Sequence, residues 1–118
     1  MSLKQTNLTN EQVKNYSFLK EMYEDDYYPN NLVDKCKDIL LNLCLQIEQK
    51  QPKNVDELYV LTHAVTDKFN DIQDEFYKND SEIETVAREC IGTDFEFIAT
   101  AYGFKDANME KLIATRDW

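Results

Sequence analysis

Glycine and proline are scarce: two of each occur in 118 residues. Turns that need positive φ fall mostly to glycine, and tight hairpins use it heavily. So few breakers exclude an all-β protein built from many hairpins and favour helices joined by short connections. Neither a glycine-rich phosphate loop nor a G-x-S-x-G elbow is present. Histidine occurs once, at His63, and no C-x-x-C pair accompanies it, so a Cys/His zinc cluster lacks donors. No 18-residue apolar run occurs, and the opening MSLKQTNLTN lacks the apolar core of a signal peptide. The expectation is a cytoplasmic protein without membrane contact. Positive charge is short as well, with 13 Lys and Arg against 23 Asp and Glu, a formal net charge of −10.

What is present is enough apolar surface for a core. Apolar residues make up 42% and aromatics 12%, too rich for a disordered acidic chain. The excess charge is concentrated. Residues 54–96 hold twelve acids against Lys68, Lys78 and Arg88, a net −9, while residues 1–53 carry −1 and residues 97–118 carry 0. Such a field repels nucleic-acid phosphates and anionic lipid and attracts a basic protein. Cys36 and Cys44 lie eight residues apart on one helical stretch, about 12 Å, too far for a disulfide. With Cys90 they read as reduced, buried thiols.

Periodicity divides the chain into helices. Residues 1–8 are polar and read as a flexible N-terminal arm. Thr9 with Gln12 forms a capping-box pattern before Val13, Tyr16, Leu19, Met22 and Tyr23 at helical spacing. That helix should stop within YEDDYYPNN, because Pro29 disfavours a helical Tyr28. Leu32, Cys36, Leu40, Leu43 and Ile47 mark the next helix, ending near Lys50 before Pro52. Asn54 and Glu57 open a third, whose stripe is Leu58, Leu61, Val65, Phe69, Ile72 and Phe76, with Asn79 as its C-terminal cap. Ser81 and Glu84 read as the start of a fourth, with a break or kink inferred at Gly92 and one continuous helix as the alternative. Apolar residues cover most of the circumference over 94–102, so that segment should be central, capped by Gly103 with Phe104 packing back. Asp106 would cap a last short helix bearing Met109, Leu112 and Ile113. The fold expected is all-α, a single compact bundle of about five or six helices across residues 1–118.

Three clusters are candidate sites. His63 lies about 160° from the core stripe of its helix, on the side that carries Asp67, Asp71 and Asp74. His63 with Asp67 at i+4 and Asp71 beyond places ligands on one face, but one imidazole and scattered carboxylates fall short of a zinc set. A solvated acidic face is the simpler reading. Glu21 and Glu24, taken with Asp71 and Asp74, have the spacing with which helical nucleotide pyrophosphohydrolases hold magnesium. Acidic i, i+3 pairs also arise by chance among 23 acids. Tyr23, Tyr27 and Tyr28 with Glu24, Asp25 and Asp26 form either a helix-exit loop or a contact patch. Glu84 and Arg88 read as a surface ion pair, and Cys90 has no base nearby in sequence to activate it.

The runs NYSFLKEMYEDDYYPNNLVDK, LTHAVTDKFNDIQDEF, SEIETVAREC, DFEFIATAYGF and LIATRDW, spread over residues 15–118, resemble a family of small acidic bacterial proteins catalogued as a domain of unknown function. The resemblance implies a bacterial single-domain protein and transfers no catalytic or binding residue. The expected function is a protein-interaction module that uses its acidic surface against a basic partner, toxin neutralisation being one form. Its contacts would be Tyr23, Asp25, Asp26, Tyr27, Tyr28, Asp67, Asp71 and Asp74. No catalytic residue, cofactor or nucleic acid is expected. The alternative is a metal-dependent hydrolase that joins His63, Asp67 and Asp71 to carboxylates of another helix through a divalent cation.

Overall fold

The two longest amphipathic stretches form the frame. A computed structural model describes residues 5–118, and these contain six helices and no strand. They are α1 (Glu11–Lys14), α2 (Lys20–Glu24), α3 (Asn30–Lys50), α4 (Val55–Lys78), α5 (Thr85–Ala101) and α6 (Met109–Leu112). Helices α3 and α4 pair antiparallel, since Lys35 near the start of one reaches Glu75 near the end of the other at 2.6 Å. Every position of the expected α4 stripe is buried, and Thr62 and Thr66 widen it. The Asn54 side chain accepts from the Glu57 amide, while Glu57 accepts from the Lys53 amide, so two donors at the helix start are satisfied.

Helix α5 lies among the other elements, as its apolar circumference requires. It touches α1, α2 and α6, and its Phe95 ring meets Phe69 of α4 at 5.9 Å. It runs unbroken through Gly92, so the inferred kink is absent and the continuous alternative holds. The glycine serves close packing instead. A Cβ there would stand 2.8 Å from the Met109 sulfur of α6. At the far end the Phe104 amide bonds the Ala99 carbonyl at 2.8 Å and the Gly103 amide bonds Thr100 at 3.0 Å, a Schellman closure with Gly103 at φ 93°. Gly103→Ala is expected to cost about 1 kcal/mol in urea unfolding, since the left-handed region penalises any Cβ. No loss at all would mean that the turn relaxes freely.

Several boundaries differ from the sequence reading, each for a tertiary reason. Within the expected arm, Gln5–Asn7 form a 3-10 turn and Leu8 is buried; residues 1–4 lie outside the described residues. The Gln5 side-chain Nε2 donates to the carbonyls of Val13 and Tyr16, which holds this turn on the chain that follows. Asn10 rather than Thr9 caps α1, accepting from Gln12 and Val13 while its amide nitrogen donates to the Ala101 carbonyl. The Thr9 amide instead joins Asn10 and the Tyr102 hydroxyl on the carboxylate of Glu48. The expected helix from residue 9 to 23 is split in two at residues 15–19. Helix α5 starts at Thr85 with Glu84 as its cap, and Asn108, not Asp106, caps α6.

Candidate functional site

The split between α1 and α2 leads to the site. Leu19 adopts φ 57°, an uncommon conformation for a leucine, and its amide donates to Asp94 Oδ2 at 2.7 Å. The Tyr16 hydroxyl donates to Asp94 Oδ1 at 2.7 Å. One carboxylate of α5 thus receives two donors from the segment that interrupts the first helix, and Asp94 is only 3% exposed. The Tyr16 ring is stacked on Phe97 at 3.8 Å and meets Phe18 edge-on at 4.8 Å, which fixes where its hydroxyl points.

Beside this clasp is a cleft of about 270 Å³ lined by Tyr16, Glu21, Glu89, Cys90, Thr93 and Asp94. Residues 86, 89, 90 and 93 recur at helical spacing, so a single face of α5 forms one wall and α2 the other. The Cys90 thiol donates to Glu21 Oε2 at 3.5 Å. Burial pushes the Asp94 carboxyl up to about 6, with the Glu21 charge adding, against the hydrogen bonds of Tyr16 and Leu19 that favour the anion. Burial and the Asp94 carboxylate push the Tyr16 hydroxyl well above its ordinary value, and burial raises the Cys90 thiol to about 12. Thiol and phenol therefore stay protonated at neutral pH. The Asp94 carboxyl, raised to about 6, exchanges its proton close to neutrality.

Asp94 escaped the sequence reading because the break expected at Gly92 set it at the edge of a new segment. Its position carried a signal: residues 87, 91, 94 and 98 share one helical face, and a carboxylate on an apolar stripe is rarely left without partners.

The candidates named from sequence are dispersed. His63 does not stand free on an outer strip. It is half-buried, lies parallel to the Tyr59 ring at 6.0 Å, and donates from Nε2 to the Lys111 carbonyl at 2.7 Å. Segment 108–118 covers that side of α4: Asn70 donates to the Thr115 carbonyl and accepts from the Asp117 amide, and Thr66 donates towards the Leu112 carbonyl. Asp67, Asp71 and Asp74 are exposed. Asp71 faces a groove with Lys35 and Lys68, whereas Glu21 belongs to the α2–α5 cleft, so the two acidic pairs do not meet. Among the described residues no three His, Cys, Asp or Glu side chains are grouped to hold a metal ion.

The tyrosine patch divides. Tyr28, read as surface, is 2% exposed and donates its hydroxyl to Glu84 Oε1. Tyr23 is half-buried with its hydroxyl on Asp34 at 2.6 Å. Tyr27 alone is 43% exposed, and its amide closes a turn onto Asp25 Oδ1 at 2.9 Å. Glu84 is committed to Tyr28, and Arg88 donates from Nε to the Trp118 carbonyl at 3.2 Å, so the expected Glu84–Arg88 pair is not formed. Cys36, Cys44 and Cys90 are free and buried, as their spacing and apolar settings imply.

Fold and cleft together define a small acidic helical protein whose central helix binds its N-terminal segment through a buried carboxylate. The chain belongs to a family of unknown function, DUF5713, whose model matches residues 12–118. This bears out the resemblance carried by residues 15–118. No curated protein and no solved structure matches the chain. Among the described residues no helix is long and apolar enough to cross a membrane.

Proposed function

We propose that this protein is an interaction module that binds a basic protein partner through its acidic surface. One observation carries the reading. Of the twelve acids in residues 54–96, nine are exposed (Asp56, Glu57, Asp67, Asp71, Asp74, Asp80, Glu82, Glu89 and Glu96), and none forms an ion pair with a described residue. A surface with this much unneutralised charge is costly to hold alone, and a cationic surface relieves the repulsion. Tyr27 adds exposed aromatic area at one end, beside Asp25 and Asp26; desolvation and then the charges of Glu82 and Glu84 raise its hydroxyl.

Capture of binding proteins from host extract tests this, at about 0.05 M and again at about 0.5 M salt, where the Debye length shortens several-fold. The expected result is a basic protein retained at the lower salt and lost at the higher. The triple variant Asp67→Asn, Asp71→Asn, Asp74→Asn should keep its fold and weaken association about tenfold, since exposed charges act mainly on encounter. A partner indifferent to salt and to all three substitutions would overturn the reading.

A further inference from the structure

We propose that Asp94 is a proton-operated latch on the N-terminal segment, holding residues 15–24 against α5 more firmly when its carboxyl is protonated than when it is ionised. The geometry supplies the parts. Asp94 is buried, and its two oxygens are the clasp on Tyr16 and on the Leu19 amide, at the break between α1 and α2. The titratable groups facing it are Tyr16 from the linking segment, Glu21 from α2, and Cys90 and Glu89 on its own helix. None of these is cationic, so among the described residues an ionised Asp94 is a buried anion without a counter-charge and with a like charge, Glu21, on the opposite wall.

Protonation removes that penalty without removing a hydrogen bond. A protonated Oδ1 can donate to the Tyr16 oxygen, while the tyrosine turns its own hydrogen into the open cleft; Oδ2 still accepts from Leu19. Burial raising the carboxyl to about 6 agrees in direction, and places the change close to neutrality. The sign follows. The docked segment binds the proton more tightly than the undocked one, so raising the pH through about 6 favours undocking. Undocking uncovers Phe18, Leu19 and Met22, all buried when the latch is closed. The strained Leu19 also relaxes when released, which sets this segment apart from the long helices as the part that opens.

Amide hydrogen exchange of the intact chain, corrected for the intrinsic pH dependence of exchange, reads the latch directly. Protection of the Leu19 and Tyr23 amides is expected to be lower than that of Val65 in α4. It should fall about tenfold between about pH 5 and pH 8. Asp94→Asn keeps an acceptor for Leu19 and a donor for Tyr16 but cannot titrate, so its Leu19 protection should be flat over the same range. Glu21→Gln, which leaves the clasp intact, should move the wild-type transition to lower pH. Leu19 protection that does not change with pH, that keeps its slope in Asp94→Asn, or that equals Val65 throughout would overturn the proposal.

Discussion

Phe69→Ala is expected to lower the unfolding free energy by about 3–5 kcal/mol, the range for deleting a fully buried phenylalanine ring. Phe69 has no exposed surface and stands where three parts of the chain meet. Its own helix α4 carries it, Phe95 of α5 faces it at 5.9 Å, and Trp118 meets it edge-on at 6.0 Å. Removing the ring takes away this aromatic contact from both neighbours, and a domain of this size holds only ~5–15 kcal/mol in all. Trp118 is the single tryptophan, so its fluorescence reports on the same junction. Urea unfolding of the variant should show an early midpoint and red-shifted native emission. Val60→Ala on the same helix, at a position 68% exposed, should stay within about 0.5 kcal/mol. Equal costs for the two would mean that the junction is not packed as described.

Asp94→Asn has the second large effect, and its sign depends on pH. The folded carboxyl is raised to about 6 from its ordinary 3.8, so the folded state binds this proton more tightly than the unfolded chain does. The stability it contributes is fully present below about pH 4 and is lost as the pH rises through about 6, an order-of-magnitude ~3 kcal/mol. Glu48 and Glu84 act in the opposite sense. Burial works against Glu48, but the Tyr102 hydroxyl and the Thr9 and Asn10 amides outweigh it, and the Tyr28 hydroxyl lowers Glu84; both lose stability only as the pH falls below the usual carboxylate range. The asparagine variant should therefore be the more stable protein at about pH 8 and lack the decline that wild type shows between about pH 4 and 7. Chemical unfolding at three pH values measures it. A wild-type curve with no decline in that window, or an identical decline in the variant, contradicts the assignment to Asp94.

Long-range contacts decide where sequence and structure part. The stripes of α3 and α4 were legible because both helices bury one continuous face, and Asn54, Asn79 and Gly103 act through neighbours within five residues. The break at residues 15–19 was not, because its cause is a carboxylate 75 residues along the chain that captures the Leu19 amide. His63 misled for a related reason. Its angular position on α4 does point away from the core stripe, yet periodicity says nothing about a separate segment that folds across that side. Tyr28 followed the same logic: adjacent to exposed Tyr27, it is drawn inward by Glu84, the distant cap of α5. The Asp94 clasp was half legible, since the stripe on α5 marked the carboxylate but nothing local named its donors.

The seam between α4 and segment 108–118 is unequal in what each side contributes. From α4 come side chains: His63, Thr66 and Asn70. From the segment come mainly backbone groups, the carbonyls of Lys111, Leu112 and Thr115 and the amide of Asp117, joined by the Thr115 hydroxyl on the His63 carbonyl and the Asp117 carboxylate under Gln73. A main-chain carbonyl is the same whichever residue bears it. Exchange of the exposed Lys111 or Ala114 for other residues leaves the seam's hydrogen bonds intact, whereas exchange of His63 or Asn70 removes them. Across diverging descendants of this chain, Lys111 and Ala114 would drift freely while the helix that receives the segment holds its polar residues in place.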